Sequence, residues 1–267
     1  MSLPTPAVAS SVVITGASSG IGAEIARGVS RLGYRPVLVA RRADRLGALA
    51  DELAREFAVT PEVLPLDLAD AAARAELIRG ITEQSPAGLV NCAGFGTTGF
   101  FQSLDLTRES EQVTVNALAL MELTHAALPP MIARGSGAVL NVGSVAGFQP
   151  VPDGAVYSAT KAFVQTFSEA VHEGLHGTGV SCTVLCPGPV PTEWWDVAGA
   201  AVTPQSGGLG AVTMSARDVA DAGITGMLEG KRLVVPGLGP KLMGMGGRFT
   251  PHRLLLPILR RAAVRHG

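Results

Sequence analysis

Val12-Val13-Ile14-Thr15-Gly16-Ala17-Ser18-Ser19-Gly20-Ile21-Gly22 is the stretch that decides the fold. A β-branched apolar run of strand character ends in a turn holding three glycines, and a helical pattern then continues to about Leu32. Glycines at a strand-to-helix turn let backbone N–H groups approach a phosphate, and the helix N-terminus adds partial positive charge. The spacing is Gly-x3-Gly-x-Gly, not the commoner G-x-G-x-x-G. Two readings stand: a phosphate cradle at the first βα junction, or a tight turn without a ligand.

Working outward, apolar runs alternate with helical patterns. Pro36–Ala40, Val63–Leu66, Gly88–Asn91, Gly137–Val142 and Val180–Leu185 read as further strands, with a short one at Leu233–Val235. Helices are expected over Asp44–Phe57, Thr107–Arg134 and from Tyr157 to about Leu175. Such alternation implies right-handed crossovers and a doubly wound α/β Rossmann fold, a mainly parallel seven-stranded sheet with helices on both faces. The Pro/Gly-rich segment Thr203–Gly210 reads as a loop excursion, since one helix and one strand still follow it. Residues 1–267 therefore read as one catalytic domain, with a core of about 10–235 and a C-terminal extension of about 236–267.

The chain has 267 residues, 47% of them hydrophobic and 16% charged, which suits buried parallel strands. A net charge of −1 gives no reason to expect nucleic acid. Charge is nevertheless uneven: Glu229 is the last acid, and eight cations follow it, from Lys231 to Arg265. Cys92, Cys182 and Cys186 lie in apolar runs without framework spacing and read as small buried hydrophobes in a reducing, cytoplasmic setting. Met1–Pro6 lacks the regions of a signal peptide, no run is long enough to span a membrane, and no metal is expected.

After the second strand, where an acid would meet a ribose 2′-hydroxyl, the chain places Arg41 and Arg42. Guanidinium groups suit a 2′-phosphate, so NADP(H) is expected over NAD(H), with Arg41 preferred as the ligand and Arg42 reading more readily as a solvated residue opening the next helix. Further on, Tyr157 and Lys161 stand at i and i+4 and share a helix face, with Ser144 thirteen residues upstream. A free phenol titrates near ~10, and a nearby cation lowers that value. His125 and His172 are assigned no chemistry.

These residues together make the chain resemble the short-chain dehydrogenase/reductase family, in its short single-domain branch. Thr15–Gly22 matches the family's TGxxxGxG, and Asn91-Cys92-Ala93-Gly94 matches NNAG with Cys92 in place of the second Asn. Asp67 falls where the family touches the adenine, or else caps the following helix. Asn116, Ser144, Tyr157 and Lys161 match the catalytic tetrad, and Pro187-Gly188-Pro189-Val190-Pro191-Thr192 matches PGxVxT. The match covers about residues 10–235, with the motifs in the family's order. It implies that Tyr157 is the acid of the reductive direction and that Lys161 lowers its pKa and binds the nicotinamide ribose. Ser144 would hold the substrate oxygen, and Asn116 would order a water linking Lys161 to solvent. Cofactor contacts are implied for Gly16, Ser18, Ser19, Gly20, Ile21 and Gly22 at the turn, and for Arg41, Arg42, Asp67 and Leu68 beside it. Asn91, Ala93, Gly94, Pro187, Gly188, Val190 and Thr192 complete that set. Cys92 cannot supply an amide's hydrogen bonds, which puts local loop support in question.

Phe95, Val145, Phe148, Val190, Trp194 and Trp195 are expected to border the reaction centre, which suits an apolar carbonyl or alcohol of small to medium size. In this family the segment after Thr192 tends to be a lid, and either tryptophan could instead pack it against the body. A 3-oxoacyl reductase of lipid metabolism is the alternative activity, and an idle cofactor sensor the alternative outside catalysis. The basic tail either packs in a homodimer or homotetramer, as family members do, or touches an anionic membrane peripherally. Pro257 is expected to interrupt any helix there.

Overall fold

The computed structural model of the chain describes residues 3, 10–199 and 213–264, with side chains described as far as 261. The strands are β1 (Ser11–Thr15), β2 (Arg35–Ala40), β3 (Glu62–Pro65), β4 (Gly88–Asn91), β5 (Gly137–Val142), β6 (Val180–Leu185) and β7 (Leu233–Val234). They form one sheet in the order β3-β2-β1-β4-β5-β6-β7, and every pairing is parallel. The expected Rossmann architecture is therefore present. β1, β4, β5 and β6 are buried along their whole length, which is why their sequences are continuous apolar runs instead of alternating ones.

Helices cover both faces. α1 (Gly20–Arg31), α2 (Ala43–Phe57) and α8 (Ala216–Leu228) bury Ile25, Leu46, Leu53 and Met227 on one side. On the other, α3 (Ala71–Gln84), α5 (Leu120–Arg134) and α6 (Ala155–Gly174) cover the sheet, and α3 and α5 bury Leu77, Ile81, Leu123 and Met131 there. The chain proceeds outward from β1 to β3, then returns to place β4 on the opposite side of β1. That reversal opens a crevice at the carboxyl ends of β1 and β4. Register brings the motif residues side by side at this edge: Thr15 opposes Asn91, and Asn91 opposes Asn141.

Three elements differ from the sequence expectation. α3, the helix implied after Asp67, has its cap three residues later, at Asp70, whose carboxylate accepts the Ala72 N–H at 2.8 Å. The long helix expected over Thr107–Arg134 is instead α4 (Leu106–Val113), a wider π turn over Thr114–Ala119, and α5. Beyond β7 stand α9 (Leu238–Phe249) and α10 (His252–Val264), and α10 runs through Pro257. Pro257 removes one intrahelical hydrogen bond there without ending the helix. A four-residue helix after Thr192, α7 (Trp194–Val197), belongs to the site. Thr203–Gly210 lies outside the described residues.

α1 and α8 meet closely because Gly28 carries no side chain: a Cβ there would lie 2.3 Å from Ile224 Cδ1. Gly47, inside α2, has nothing within 4 Å of its virtual Cβ. Two substitutions should therefore act with opposite signs. Gly28→Leu is expected to cost about 1–3 kcal/mol by overpacking, and Gly47→Ala to add roughly 0.5–1 kcal/mol through helix propensity. Urea unfolding of the two variants checks both; a shift in the same direction would contradict this account of the packing.

Candidate active site

The glycine turn has one geometry open to it. Gly16 and Gly20 adopt φ of +70° and +54°, in the left-handed region. A Cβ on Gly22 would lie 2.3 Å from the Gly16 carbonyl oxygen, and one on Gly16 would lie 2.8 Å from the Ala93 nitrogen. The turn is thus pressed against the loop after β4. Thr15 fixes that contact from below, its hydroxyl accepting the N–H groups of Cys92 and Ala93 at 3.0 and 3.1 Å. This hydroxyl supports the loop through its backbone, so an amide side chain at position 92 is not needed.

Asn91 does not face the cleft as a donor. Its amide nitrogen donates to Asn141 Oδ1 at 2.8 Å and to Thr124 Oγ1 at 3.1 Å, while Asn141 donates to Ser168 Oγ on α6 at 2.9 Å. This buried chain ties β4 and β5 to the helix that carries Tyr157 and Lys161. Asn91 Oδ1 is buried without a hydrogen-bond partner, which costs about 1–3 kcal/mol.

Asn116 sits in the π turn between α4 and α5. Its carbonyl oxygen accepts the Phe95 N–H at 3.1 Å, and its amide donates to the Phe95 carbonyl at 2.8 Å and to Thr160 Oγ1 at 3.2 Å. Thr160 in turn donates to the Tyr157 carbonyl at 2.8 Å. The Asn116 side chain therefore clamps the Phe95 loop and couples it to α6. Lys161 is 6% exposed, and its ammonium donates to the Val142 carbonyl at the end of β5, 2.8 Å away. Ser144 opens the 3-10 turn Val145–Phe148, and its hydroxyl oxygen accepts the Ala146 N–H at 3.1 Å. That bond occupies one lone pair of the hydroxyl oxygen, and the O–H is directed to the Tyr157 phenol. The turn lies directly on α6, since a Cβ on Gly147 would stand 2.7 Å from the Lys161 backbone.

A cleft of about 730 Å³ joins these pieces, from the glycine turn past Arg41, Arg42, Asp67 and Leu68 to Ser144, Tyr157 and Val190. The residues fit a dinucleotide with a 2′-phosphate. Ser19, at the N-cap of α1, makes no side-chain cap, so the helix's first N–H groups stay open at the turn. No carboxylate follows β2 at positions 41 and 42. Of the two arginines Arg42 is the one drawn to the turn: it donates to Ser18 Oγ at 3.0 Å and Ser19 Oγ at 2.9 Å, whereas Arg41 is exposed. Asp67 lines the cleft and accepts the Ala69 N–H at 2.9 Å, while the helix cap is Asp70, so the capping role considered for Asp67 falls to its neighbour.

Glu193 is a site residue that motif reading misses. It pairs with Arg42 at 2.8 Å and with Arg45, and these guanidinium groups hold its carboxyl below the usual range. The only sequence signal was an acid directly after Thr192 in a chain with surplus arginine near position 42. The next residue, Trp194, lies over the reaction centre: its ring centroid is 5.0 Å from that of Tyr157, and it covers Gly96 so closely that a Cβ there would be 2.3 Å away. Trp195 instead anchors the segment, donating from its indole nitrogen to the Val190 carbonyl at 2.8 Å. One tryptophan thus faces the chemistry and the other packs.

The electrostatics correct one expectation. Lys161 does not bring the Tyr157 phenol down; burial dominates and pushes it up to about 12, with a Ser144 hydrogen bond acting weakly the other way. Burial also lowers Lys161, to about 8. The ammonium lies 5.8 Å from the phenol ring centroid and spends its hydrogen bond on Val142. Burial pushes the three thiols up to about 11 or 12, and Cys182 and Cys186 are the buried small hydrophobes expected, whereas Cys92 is only partly buried and lines the cleft.

Residues 10–225 match the family model described as short chain dehydrogenase. Sulfoacetaldehyde reductase 2 of Chromohalobacter salexigens is 40% identical over 187 residues, 68% of this chain and 73% of that one. Very-long-chain 3-oxoacyl-CoA reductase of Bos taurus is 32% identical over 185 residues, 68% of this chain and 59% of the relative. Among solved structures, a short-chain dehydrogenase from Sphingobium yanoikuyae in complex with NADPH superposes with a TM-score of 0.78 at 31% identity, covering 96% of this chain and 95% of that one.

Both tryptophans of the chain flank the Glu193 pairing, so intrinsic tryptophan emission reads this segment alone. Glu193→Gln is expected to red-shift that emission and increase acrylamide quenching. Global stability should change by less than about 1 kcal/mol, as for other exposed ion pairs. Unchanged emission and quenching would show that the pairing with Arg42 does not hold the segment.

Proposed function

The chain belongs to the short-chain dehydrogenase family, and from that premise we propose an NADP(H)-dependent oxidoreductase whose substrate is a neutral, mainly apolar oxo compound or alcohol of small to medium size. The observation that carries the substrate class is the lining of the cleft at the Tyr157 end. Phe95, Val145, Val151, Val190, Trp194 and Met243 form its apolar walls. Among the described residues there, Lys161 is the sole lining cation, and the nearest carboxylates are Glu111 and Asp153. Arg108 stacks on Phe95, 3.8 Å from its ring centroid, and does not line the cleft. Such a surface favours uncharged carbonyls over a sulfonated aldehyde of the kind named for the Chromohalobacter relative.

The cofactor, when bound, supplies the hydride that the carbonyl carbon receives. The protein's task is to meet the negative charge developing on oxygen. Ser144, whose O–H is directed to Tyr157, donates it to that oxygen when substrate enters between them. Tyr157 is protonated throughout the neutral range and gives its proton to the same oxygen, acting as the acid. Lys161, charged below about pH 8, stabilises the phenolate left behind. Asn116 is a positioning residue that keeps Phe95 and α6 in place. Arg42, with the open N–H groups of α1, would hold the 2′-phosphate and pyrophosphate. The 3-oxoacyl reading uses the same site and is favoured by the apolar end of the cleft, where α9 contributes Met243.

A panel of neutral ketones, 3-oxoacyl thioesters and sulfonated aldehydes, read by NADPH consumption, tests the substrate class. Neutral apolar ketones should turn over fastest, and preference for the sulfonated compounds would overturn the reading. Tyr157→Phe should lose at least ~100-fold in kcat, and unchanged turnover would overturn the acid role of Tyr157, whereas no turnover of any oxo compound by the unaltered protein would leave an idle cofactor-binding protein. In the pH profile of ketone reduction, the cation on Lys161 is present below about 8 and lost above it. The rate should therefore be level near neutrality and fall as pH rises through about 8, well before Tyr157 titrates near 12. A profile level to pH 10 or above would contradict this role of Lys161.

A further inference from the structure

α9 presents two faces of opposite character. Its inner face is pressed onto the body: a Cβ on Gly244 would lie 3.0 Å from the Phe148 ring, and one on Gly247 would lie 2.7 Å from Gln149 Oε1. Its outer face is a row of apolar side chains at i, i+4, i+7 and i+11, namely Leu238, Leu242, Met245 and Phe249. These are 76%, 62%, 57% and 73% exposed. Lys241 and Arg248, seven residues apart, run along one edge of that row, and both are exposed. α10 continues the pattern with Leu254 and Ile258 outward and Arg253, Arg260 and Arg261 exposed.

We propose that this face docks the protein on an anionic phospholipid surface, with the α9 row entering the headgroup and acyl boundary and the flanking cations on lipid phosphates. The charge pattern selects this occupant. No acid follows Glu229, so the segment carries eight cations while the remainder of the chain sums to −9. Two copies joined face to face through α9 would set these cations against each other, whereas an anionic bilayer neutralises them. A nucleic-acid backbone would leave the four apolar side chains in water. No helix among the described residues is long and apolar enough to cross a membrane, so the contact is interfacial. The docking also bears on substrate: Met243, on the same helix, lines the cleft. A lipid-borne oxo compound would then reach the site about one helix diameter, roughly 10 Å, from the bilayer. The docking itself stands whether or not the substrate reading above holds.

Co-sedimentation of the full chain with phosphatidylcholine vesicles, with and without a minority of phosphatidylglycerol, tests the proposal. Binding to the anionic vesicles should be at least about tenfold stronger and should weaken at raised salt. Leu242→Asp/Phe249→Asp and, separately, Lys241→Glu/Arg248→Glu should each reduce it at least about tenfold. Circular dichroism and turnover of a water-soluble ketone should stay unchanged, because these side chains point away from the cleft. Equal binding to both vesicle types, or full binding by the charge-reversed variant, overturns the proposal. So does a dimer in sedimentation velocity that Leu242→Asp/Phe249→Asp dissociates while vesicles go unbound, since a second copy would then cover the face.

Discussion

Lys161 carries an ammonium group into the carboxyl edge of the sheet, where little water reaches it, and the arrangement around it answers that cost. Burying a charge is unfavourable unless hydrogen bonds replace its hydration, and the replacement here is the Val142 carbonyl at the end of β5. That bond requires α6 to lie at a fixed height over the sheet. Gly147, with no room for a side chain against the Lys161 backbone, lets the Ser144 turn settle on the same helix. Asn141 pins α6 again through Ser168, a little under two turns beyond Lys161. The donor, the acid and the cation are thus set by one helix docked on one strand end, not by independent loops.

Much of this was legible in the residues. The buried strands were readable because both faces are covered, so Val180–Leu185 and Gly88–Asn91 have the bounds that their apolar runs suggest. The helical spacing of Tyr157 and Lys161 correctly put both on α6. It did not give the sign of the electrostatic effect, because spacing conveys proximity and says nothing of burial, which outweighs the cation here. The sequence favoured Arg41 over Arg42 as the phosphate ligand, and the path of the chain reverses this by turning Arg42 onto Ser18 and Ser19. Glu193 was hidden for a related reason: its partner stands 151 residues earlier. Helix α10 went unread because Pro257 was taken to end a helix, whereas the helix continues through it at the loss of one intrahelical hydrogen bond.

Departures from regular winding concentrate where the site is assembled. Gly16 and Gly20 take left-handed φ at the turn, and the helix between Leu106 and Arg134 widens at Asn116. Elsewhere the helices are ordinary, capped by Asp70, Asp105 or Ser215. Regular elements thus supply the frame, while left-handed backbone also ends α2 and α3 away from the site, at Ala58 and Ser85.

The wide turn at Thr114–Ala119 has a further meaning as a matter of phase. In α-helical winding each residue advances about 100° around the axis, so one surplus residue in a turn rotates everything beyond it by about that much. α5 uses this offset to set Leu123 and Met131 in the core while Asn116 still faces Phe95. The amide of Asn116 is what such a turn closes around, satisfied on both sides by one backbone unit. Lengthening or shortening the helix by one residue on either side of Asn116 would therefore be felt as a rotation of the opposite half. In this protein the length of a helix is as much a part of the chemistry as any side chain on it.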